Sequence, residues 1–510
     1  MIKESIKNIS KYKILAIFII GFILRLVFVG RVPGNYNFMQ DEAFSAYKAY
    51  SMVNYGIDSH GYHNPVYLET WGSGMSAVQC YIQTLFIRIL GFTPIAIRLP
   101  QAILGCITLV FFYLLIKEIA TREIAFWATV VLAVCPWHIT MSRWGLDCNY
   151  YIGFITIAMY MIISSRNVLW KTIVAAVVTA IALYSYASPW VVMPILVYGT
   201  IIYLFIRKEI NIKSIIIFTV ILGILVMPLF LFILVNMGFM DEIRGSIISI
   251  PKLSYFRSDD VKPSLANIKT MLHYFWVQYD LISYDSTPMY GTYYLFSNVF
   301  LVIGLIKDIV KRNRRAIIMW IWLLCGFIMG ASIEANFERL NILFLPLIYF
   351  IGIGIVFVIN LFRSKKIIGS CLIGVLYTVA TVIFTRYYFT DYNEMIERVW
   401  PDGAQEVIEY AGRFDGTKHI ADIRHPIVLC YSKYPVDKYV ATVEYADEHA
   451  KFLSPLHWEG YDFLDYTTDA PVSGDVYICS VENENAVYWL STNKMKLYAQ
   501  FGTYYIAVAE

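Results

Sequence analysis

Two acidic residues stand together at Asp41-Glu42, heading the run Asp-Glu-Ala-Phe-Ser-Ala-Tyr-Lys-Ala-Tyr. Phe44, Tyr47, Tyr50 and Ser51 recur at three- and four-residue spacing, which predicts a helix with both acids in its first turn. Successive helical residues point about 100° apart, so the two carboxylates take separate tasks. One suits proton abstraction from a substrate, and the other suits bracing the loop or orienting that substrate. Acids in a first turn also serve the helix dipole without any chemistry. A second acid lies in Cys135-Pro-Trp-His-Ile-Thr-Met-Ser-Arg143-Trp-Gly-Leu-Asp147-Cys-Asn149. There, a short connection between two apolar stretches carries the charged pair Arg143 and Asp147 beside Trp144 and Asn149. An interfacial tryptophan with a local salt bridge accounts for the same residues structurally.

The cations form a third group. Arg25 falls in the outer part of the first apolar stretch, Arg98 opens the second in Arg-Leu-Pro-Gln, and Arg339 lies in Phe337-Glu-Arg-Leu-Asn341. A guanidinium is a planar, permanently charged fork that binds phosphate through two parallel hydrogen bonds. Arg25, Arg98 and Arg339, with Arg143, are therefore candidates for holding a lipid phosphate, although arginines at span ends also snorkel to the interface. The stretch His60-Gly-Tyr-His63-Asn-Pro65 and Trp71-Gly-Ser-Gly74 supplies rings suited to stacking on sugars and glycines suited to a tight turn. His63, Trp71 and Asn149 are the substrate-binding candidates. His60 and His63 have no third ligand in view, so no metal site is assigned and no cofactor is expected; a divalent ion is compatible but not indicated.

Residues this polar need elements to hold them, and the composition restricts which. The chain has 510 residues, 58% apolar and 15% charged, against roughly 25% charged in soluble domains. Eleven apolar segments of spanning length are expected near 14–30, 99–116, 124–140, 150–163, 172–187, 190–206, 214–235, 290–306, 316–332, 340–361 and 367–387. A twelfth candidate at 75–90 contains Gln79, Gln83 and Arg88. Leaving it out places every basic turn, including Lys117/Arg122, Arg207/Lys208 and the cluster from Lys307 through Arg312 to Arg315, on one side of the membrane. The positive-inside rule then puts the amino terminus in the cytoplasm, makes 75–90 an interfacial helix, and places the first outer loop and everything after residue 390 outside. The opening segment is not a cleavable signal.

The net charge of +3 conceals an asymmetry. Residues 1–389 carry 32 basic and 18 acidic residues, whereas 390–510 carry 9 and 20. Two domains are expected, a membrane domain over 1–389 and an extracytoplasmic α/β domain over 390–510. In the latter, the pattern predicts a helix over 402–414, strands over 426–431 and 475–481, and a hairpin over 495–509 around Phe501-Gly502-Thr503. Cys430 and Cys479 are a candidate disulfide.

The Asp-Glu pair after the first span, an interfacial helix, Arg-Leu-Pro opening the second span and the Pro-Trp-His-Ile…Ser-Arg…Asp loop occur in this order. Together they resemble the GT-C membrane glycosyltransferases over about residues 1–390, in particular the bacterial branch of the protein O-mannosyltransferases and the aminoarabinose transferases of lipid A. The resemblance implies a mainly α, polytopic fold of about 11 transmembrane helices with interfacial helices in the first outer loop. It further implies transfer of a hexosyl or pentosyl group from a polyprenyl-phosphate donor to an acceptor hydroxyl at the extracytoplasmic face. Asp41 would be the base or acceptor-orienting acid, Glu42 its support, and Asp147 a second acid lining the cavity. The Lys-Pro-Pro of the aminoarabinose transferases is absent; His63-Asn64-Pro65 and Thr70-Trp71-Gly72 occupy that region. The expected partners are the lipid-linked donor, a hydroxyl acceptor and the bilayer, with no nucleic acid. A transporter or flippase for a lipid-linked saccharide is the alternative, but it would place its ionisable residues near the bilayer midplane on broken helices.

Overall fold

The computed structural model describes residues 2–311, 313–396, 399–463, 471–493 and 495–509; Arg312 of the basic cluster lies outside them. Packing divides the chain into two compact units, one of residues 1–29, 98–227 and 258–392, the other of residues 30–97, 228–257 and 393–510. One of the boundaries between these units falls at 392/393, and the second unit also takes in the first long loop and the segment 228–257.

The first unit is helical. Each of the eleven apolar segments overlaps a helix, although 290–306 is helical only from Ser297 and 124–140 is divided at Cys135 between Arg122–Val134 and Pro136–Met141. Among the described residues, five helical stretches are long and apolar enough to cross a membrane by length and composition: Pro94–Ile119, Ile212–Asn236, Arg314–Ser332, Asn341–Leu361 and Arg363–Met395. Others, such as Arg122–Val134, Leu169–Ser185 and Met193–Ile206, are shorter. The centre of the unit is Asn341–Leu361, which packs on Ser297–Lys311, Arg122–Val134 and Ile317–Ser332. Apolar side chains cannot drive helices together in lipid, so close backbone approach must. Gly304 and Gly354 supply it reciprocally: a Cβ on Gly304 would stand 1.8 Å from the Phe350 carbonyl oxygen, and one on Gly354 would stand 1.9 Å from that of Phe300.

The second unit is built on a seven-stranded mixed sheet. Its order runs Lys496–Phe501, Tyr504–Val508, Val476–Ser480, Lys418–Ile420, Tyr461–Phe463, Pro455–Trp458, Glu444–Tyr445. Lys418–Ile420 lies parallel to both neighbours, with Ile420 opposite Ile478 and Phe463. The expected hairpin forms, with Phe501 opposite Tyr504, and Val476–Ser480 is the expected strand. The helix expected over 402–414 forms as Ala404–Ala411. The run 426–431, expected as a strand, is instead the helix His425–Ser432, with Pro426 in its first turn. Proline there gives up only an amide that has no helical partner and presets φ, and a short apolar run does not by itself distinguish strand from helix. Cys430 and Cys479 are both buried free thiols, so the expected disulfide is not formed.

Helix Gln40–Asn54 packs on Ala77–Leu90 and on His425–Ser432. Ala43, Ala46, Tyr47, Cys80 and Ile87 share one core with Val407, Val428, Tyr439, Trp458, Ile478 and Ile506. The Tyr47 hydroxyl donates to the Tyr434 carbonyl at 2.8 Å, and the Tyr431 hydroxyl accepts from the Phe38 amide at 2.8 Å. The first long loop and the C-terminal region therefore fold as one body. Ala77–Leu90 has 14 residues, about 21 Å of helix against the roughly 30 Å of a bilayer core. It buries Gln79 and Gln83 and exposes Leu85 and Ile89.

Candidate active site

In the second unit, Asp41 sits in the first turn of Gln40–Asn54, a helix whose N-cap Met39 offers no side-chain cap. Asp41 Oδ1 accepts a hydrogen bond from Trp71 Nε1 at 2.5 Å. Trp71 lies in a tight turn in which the Ser73 and Gly74 amides both donate to the Thr70 carbonyl. The turn is clamped on its outer side, because the Leu453 amide donates to the Trp71 carbonyl and the Tyr255 amide to the Gly72 carbonyl. Gly72 has φ +85°, and a Cβ there would meet the Ala450 carbonyl oxygen at 2.4 Å; only glycine fits. Trp71 itself has φ +57°, a conformation that costs a bulky residue energy and that the surrounding contacts must enforce. Its ring lies 5.6 Å from that of Phe44 and meets the ring of His425 edge-on at 5.1 Å.

A cation completes this group. Arg257 Nη2 donates to Ser73 Oγ at 2.6 Å, and the arginine's charge is felt at Asp41. Burial raises the Asp41 carboxyl above its ordinary range, while the Trp71 hydrogen bond and Arg257 pull it down less strongly. A half-buried carboxylate with a raised pKa is a better proton acceptor than an exposed one. Sequence reasoning missed Arg257, which sits in an irregular segment far downstream with no local motif. That segment is fixed by Asn236, whose Oδ1 accepts from the Leu253 amide and whose Nδ2 donates to the Pro251 carbonyl.

Glu42 is fully buried and accepts from Trp400 Nε1 at 3.3 Å. It points away from Asp41 around the helix and braces the C-terminal region. His63 is exposed on a loop, its Nδ1 3.0 Å from the Gly56 carbonyl oxygen, and none of its contacts joins it to Asp41. Two turns after Asp41, Lys48 is buried against Ser59 Oγ and His60 Nδ1, with its Nζ 4.7 Å from the centre of the Phe44 ring. Burial lowers both the Lys48 amine and the His60 imidazole, and raises Glu69, which accepts from the Ser254 amide at 2.9 Å. Among the described residues, no group of three or more His, Cys, Asp or Glu could hold a metal ion.

The other candidates belong to the first unit. Arg25, expected at a lipid phosphate, is fully buried with all five of its N–H groups committed. Nη1 donates to the Gly21 and Ala133 carbonyls, Nη2 to the Leu132 carbonyl, and both Nε and Nη2 meet His138 Nδ1. Arg143 donates to the Leu24, Arg25 and Val27 carbonyls and lies over the Phe389 ring at 4.8 Å. It thereby caps the end of the first helix, where carbonyls have no helical partner. Both arginines are structural in this geometry, a correction to their expected place in a phosphate clamp. Arg98 is fully buried in helix Pro94–Ile119. Asp147 opens helix Asp147–Ser164, its Oδ1 accepting from the Cys148 amide at 2.8 Å. Asn149 is buried beside it, its Oδ1 contacting Cys148 Sγ. Arg339 is partly exposed; Nη1 donates to the Glu334 carbonyl at 2.8 Å and lies 3.9 Å from that residue's exposed carboxylate.

Residues 76–233 match the dolichyl-phosphate-mannose-protein mannosyltransferase family. Among curated proteins, none matches the chain in sequence. In structure the chain is similar to ArnT of Cupriavidus metallidurans bound to undecaprenyl phosphate, with TM-score 0.61 and 11% identity, over 99% of this chain and 98% of that one. It is also similar to the oligosaccharyltransferase AglB of Archaeoglobus fulgidus in complex with an inhibitory peptide and a dolichol-phosphate, with TM-score 0.53 and 11% identity, over 99% of this chain and 74% of that one. The chain is thus a multi-pass membrane protein with the GT-C glycosyltransferase fold, similar to ArnT and the protein mannosyltransferases.

Proposed function

We propose that the chain transfers a hexosyl or pentosyl group from a polyprenyl-phosphate sugar to a hydroxyl acceptor at the extracytoplasmic face of the membrane. The observation that carries this reading is Asp41: a half-buried carboxylate of raised basicity, with a cation beside it, in a fold shared with a transferase that binds undecaprenyl phosphate. Asp41 takes the acceptor proton as the hydroxyl oxygen attacks the anomeric carbon. The carbon–phosphate-oxygen bond breaks, and polyprenyl phosphate leaves. The leaving phosphate is already a stable anion, so cations matter more than a general acid. Arg257 is the cation whose charge acts on Asp41. Arg98 and Arg339 are proposed as further phosphate ligands; Nε and Nη2 of Arg339 have no hydrogen-bond partner among the described residues. Asp147 is proposed as the second acid.

The direct test is purified protein in nanodiscs, given undecaprenyl phosphate loaded with tritiated mannose, galactose or aminoarabinose. Acceptor-dependent release of undecaprenyl phosphate identifies a transferase; movement of intact donor across vesicles without release identifies a transporter. In the same assay, Arg257→Ala is expected to lower kcat/KM for the donor by about 10- to 100-fold, the size of one charge-assisted hydrogen bond. Arg257→Lys should fall between, since lysine keeps the charge without the fork. Equal rates in all three proteins would remove Arg257 from the phosphate.

The orientation is proposed from the basic turns: amino terminus inside, Ala77–Leu90 interfacial, C-terminal region outside. In a background lacking the exposed Cys371, cysteines placed by Phe92→Cys and Ala450→Cys should react with an impermeant maleimide added outside intact cells. Labelling of Phe92→Cys only after permeabilisation would reverse the assignment.

A further inference from the structure

The Trp71 turn holds a bulky residue at a φ of +57°, and its indole ring is half buried. What this conformation secures is the direction of one N–H. Three fixed points hold the indole: the Phe44 ring on the same helix as Asp41, the edge-on His425 ring, and the two backbone bonds from Tyr255 and Leu453 that pin the turn. Lys48 in turn lies over Phe44, so the bracket around the indole is itself buttressed. The N-cap Met39 makes no side-chain cap bond, and the side-chain hydrogen bond given to Asp41 comes from Trp71. We propose that Trp71 is a positioning residue for Asp41, its indole N–H holding one carboxylate oxygen so that the other faces the acceptor hydroxyl. This rests on the reading of Asp41 as the base. It also assigns Trp71 a role other than stacking on a sugar, because its polar edge and one ring face are already engaged.

The contact has a signed consequence. A donor to the carboxylate favours its charged form, so losing the N–H moves Asp41 to higher pKa. The charged and titratable groups around it are Glu42 and Lys48 on its own helix, Arg257 on the segment beside Ser73, and His425 with Arg424 on the packed C-terminal helix. His425 is pushed down to about 3 by burial and by the charges of Lys48 and Arg424, so it stays neutral through the range in which Asp41 titrates.

The test is Trp71→Phe, together with a second protein in which the Trp71 indole is replaced by benzothiophene, which keeps the shape and loses only the N–H. Infrared titration of the Asp41 carboxyl, isolated as the difference from Asp41→Asn, reads the contact without any substrate. Both proteins should titrate higher than the native chain by on the order of one pH unit. With the tritiated undecaprenyl-phosphate sugars, kcat should fall about tenfold while donor KM changes little, and the acid limb of the rate profile should move up with the titration. An unchanged titration in the benzothiophene protein overturns the positioning role whatever its activity. Full turnover by Asp41→Asn overturns instead the reading of Asp41 as base on which the role depends.

Discussion

Asp41→Asn should lose about 10² to 10⁴ in kcat, the usual cost of removing a general base, at nearly unchanged stability. Asparagine is isosteric and still accepts the Trp71 N–H through its carbonyl oxygen, so the turn and the bracket around it persist. Basicity alone is removed. Because burial raises the Asp41 carboxyl, the native enzyme should gain kcat/KM as pH rises through an acid limb above the ordinary carboxylate range near 4, and Asp41→Asn should lose that limb. Glu42→Gln should behave differently. Glu42 faces Trp400 and the buried Cys430, so its loss should lower thermal stability more than turnover. A pH profile of Asp41→Asn that keeps both its height and its acid limb would eliminate the base.

Gly354→Ala should be strongly destabilising in the membrane helices. The added carbon would lie 1.9 Å from the Phe300 carbonyl oxygen, and the reciprocal contact at Gly304 closes the other side of the same helix pair. Neither obstacle is a side-chain end that can swing away, so the helices must part. Overpacking of a core costs roughly 1–3 kcal/mol where side chains can adjust, and here the backbone itself has to move, so the upper end or more is expected. Gly223→Ala is the control: nothing lies within 4 Å of its Cβ position, and alanine is the better helix former. Thermal unfolding in detergent should show a large loss for the first and none for the second. Equal melting temperatures would mean that the helix pair is not held by backbone approach.

The apolar helices were legible because apolar length is a property of contiguous residues: each of the eleven segments overlaps a helix, and among the described residues five helical stretches are long and apolar enough to cross a membrane. The Asp41 helix was legible for the same reason: its periodicity and its acids are local. The partners of Asp41 were not. Trp71 was visible as an aromatic near glycines, but its N–H reaches Asp41 only because the chain turns through a left-handed residue that propensity argues against. Arg257 carries no local signal. The arginines were misjudged in an informative way. Arg25 and Arg143 are chemically fit for phosphate, and sequence cannot reveal that backbone carbonyls and His138 already occupy their forks. The strand reading of 426–431 failed where an apolar run was too short for periodicity to decide.

The fully satisfied Arg25 has a consequence for biogenesis. Apart from the Gly21 carbonyl on its own helix, its acceptors lie between Leu132 and His138, and His138 is 113 residues further along the chain. When the first helix leaves the translocon, an arginine that costs up to about 2.5–3.5 kcal/mol at a helix centre, and less in a last turn, has none of the partners from Leu132 to His138 yet. At about 5–20 residues per second, the ribosome needs roughly ten seconds to deliver them. For that interval the nascent first helix must be retained by the insertion machinery, or sit shallow with its guanidinium in the headgroups, and it reaches its final depth only when the third apolar segment arrives.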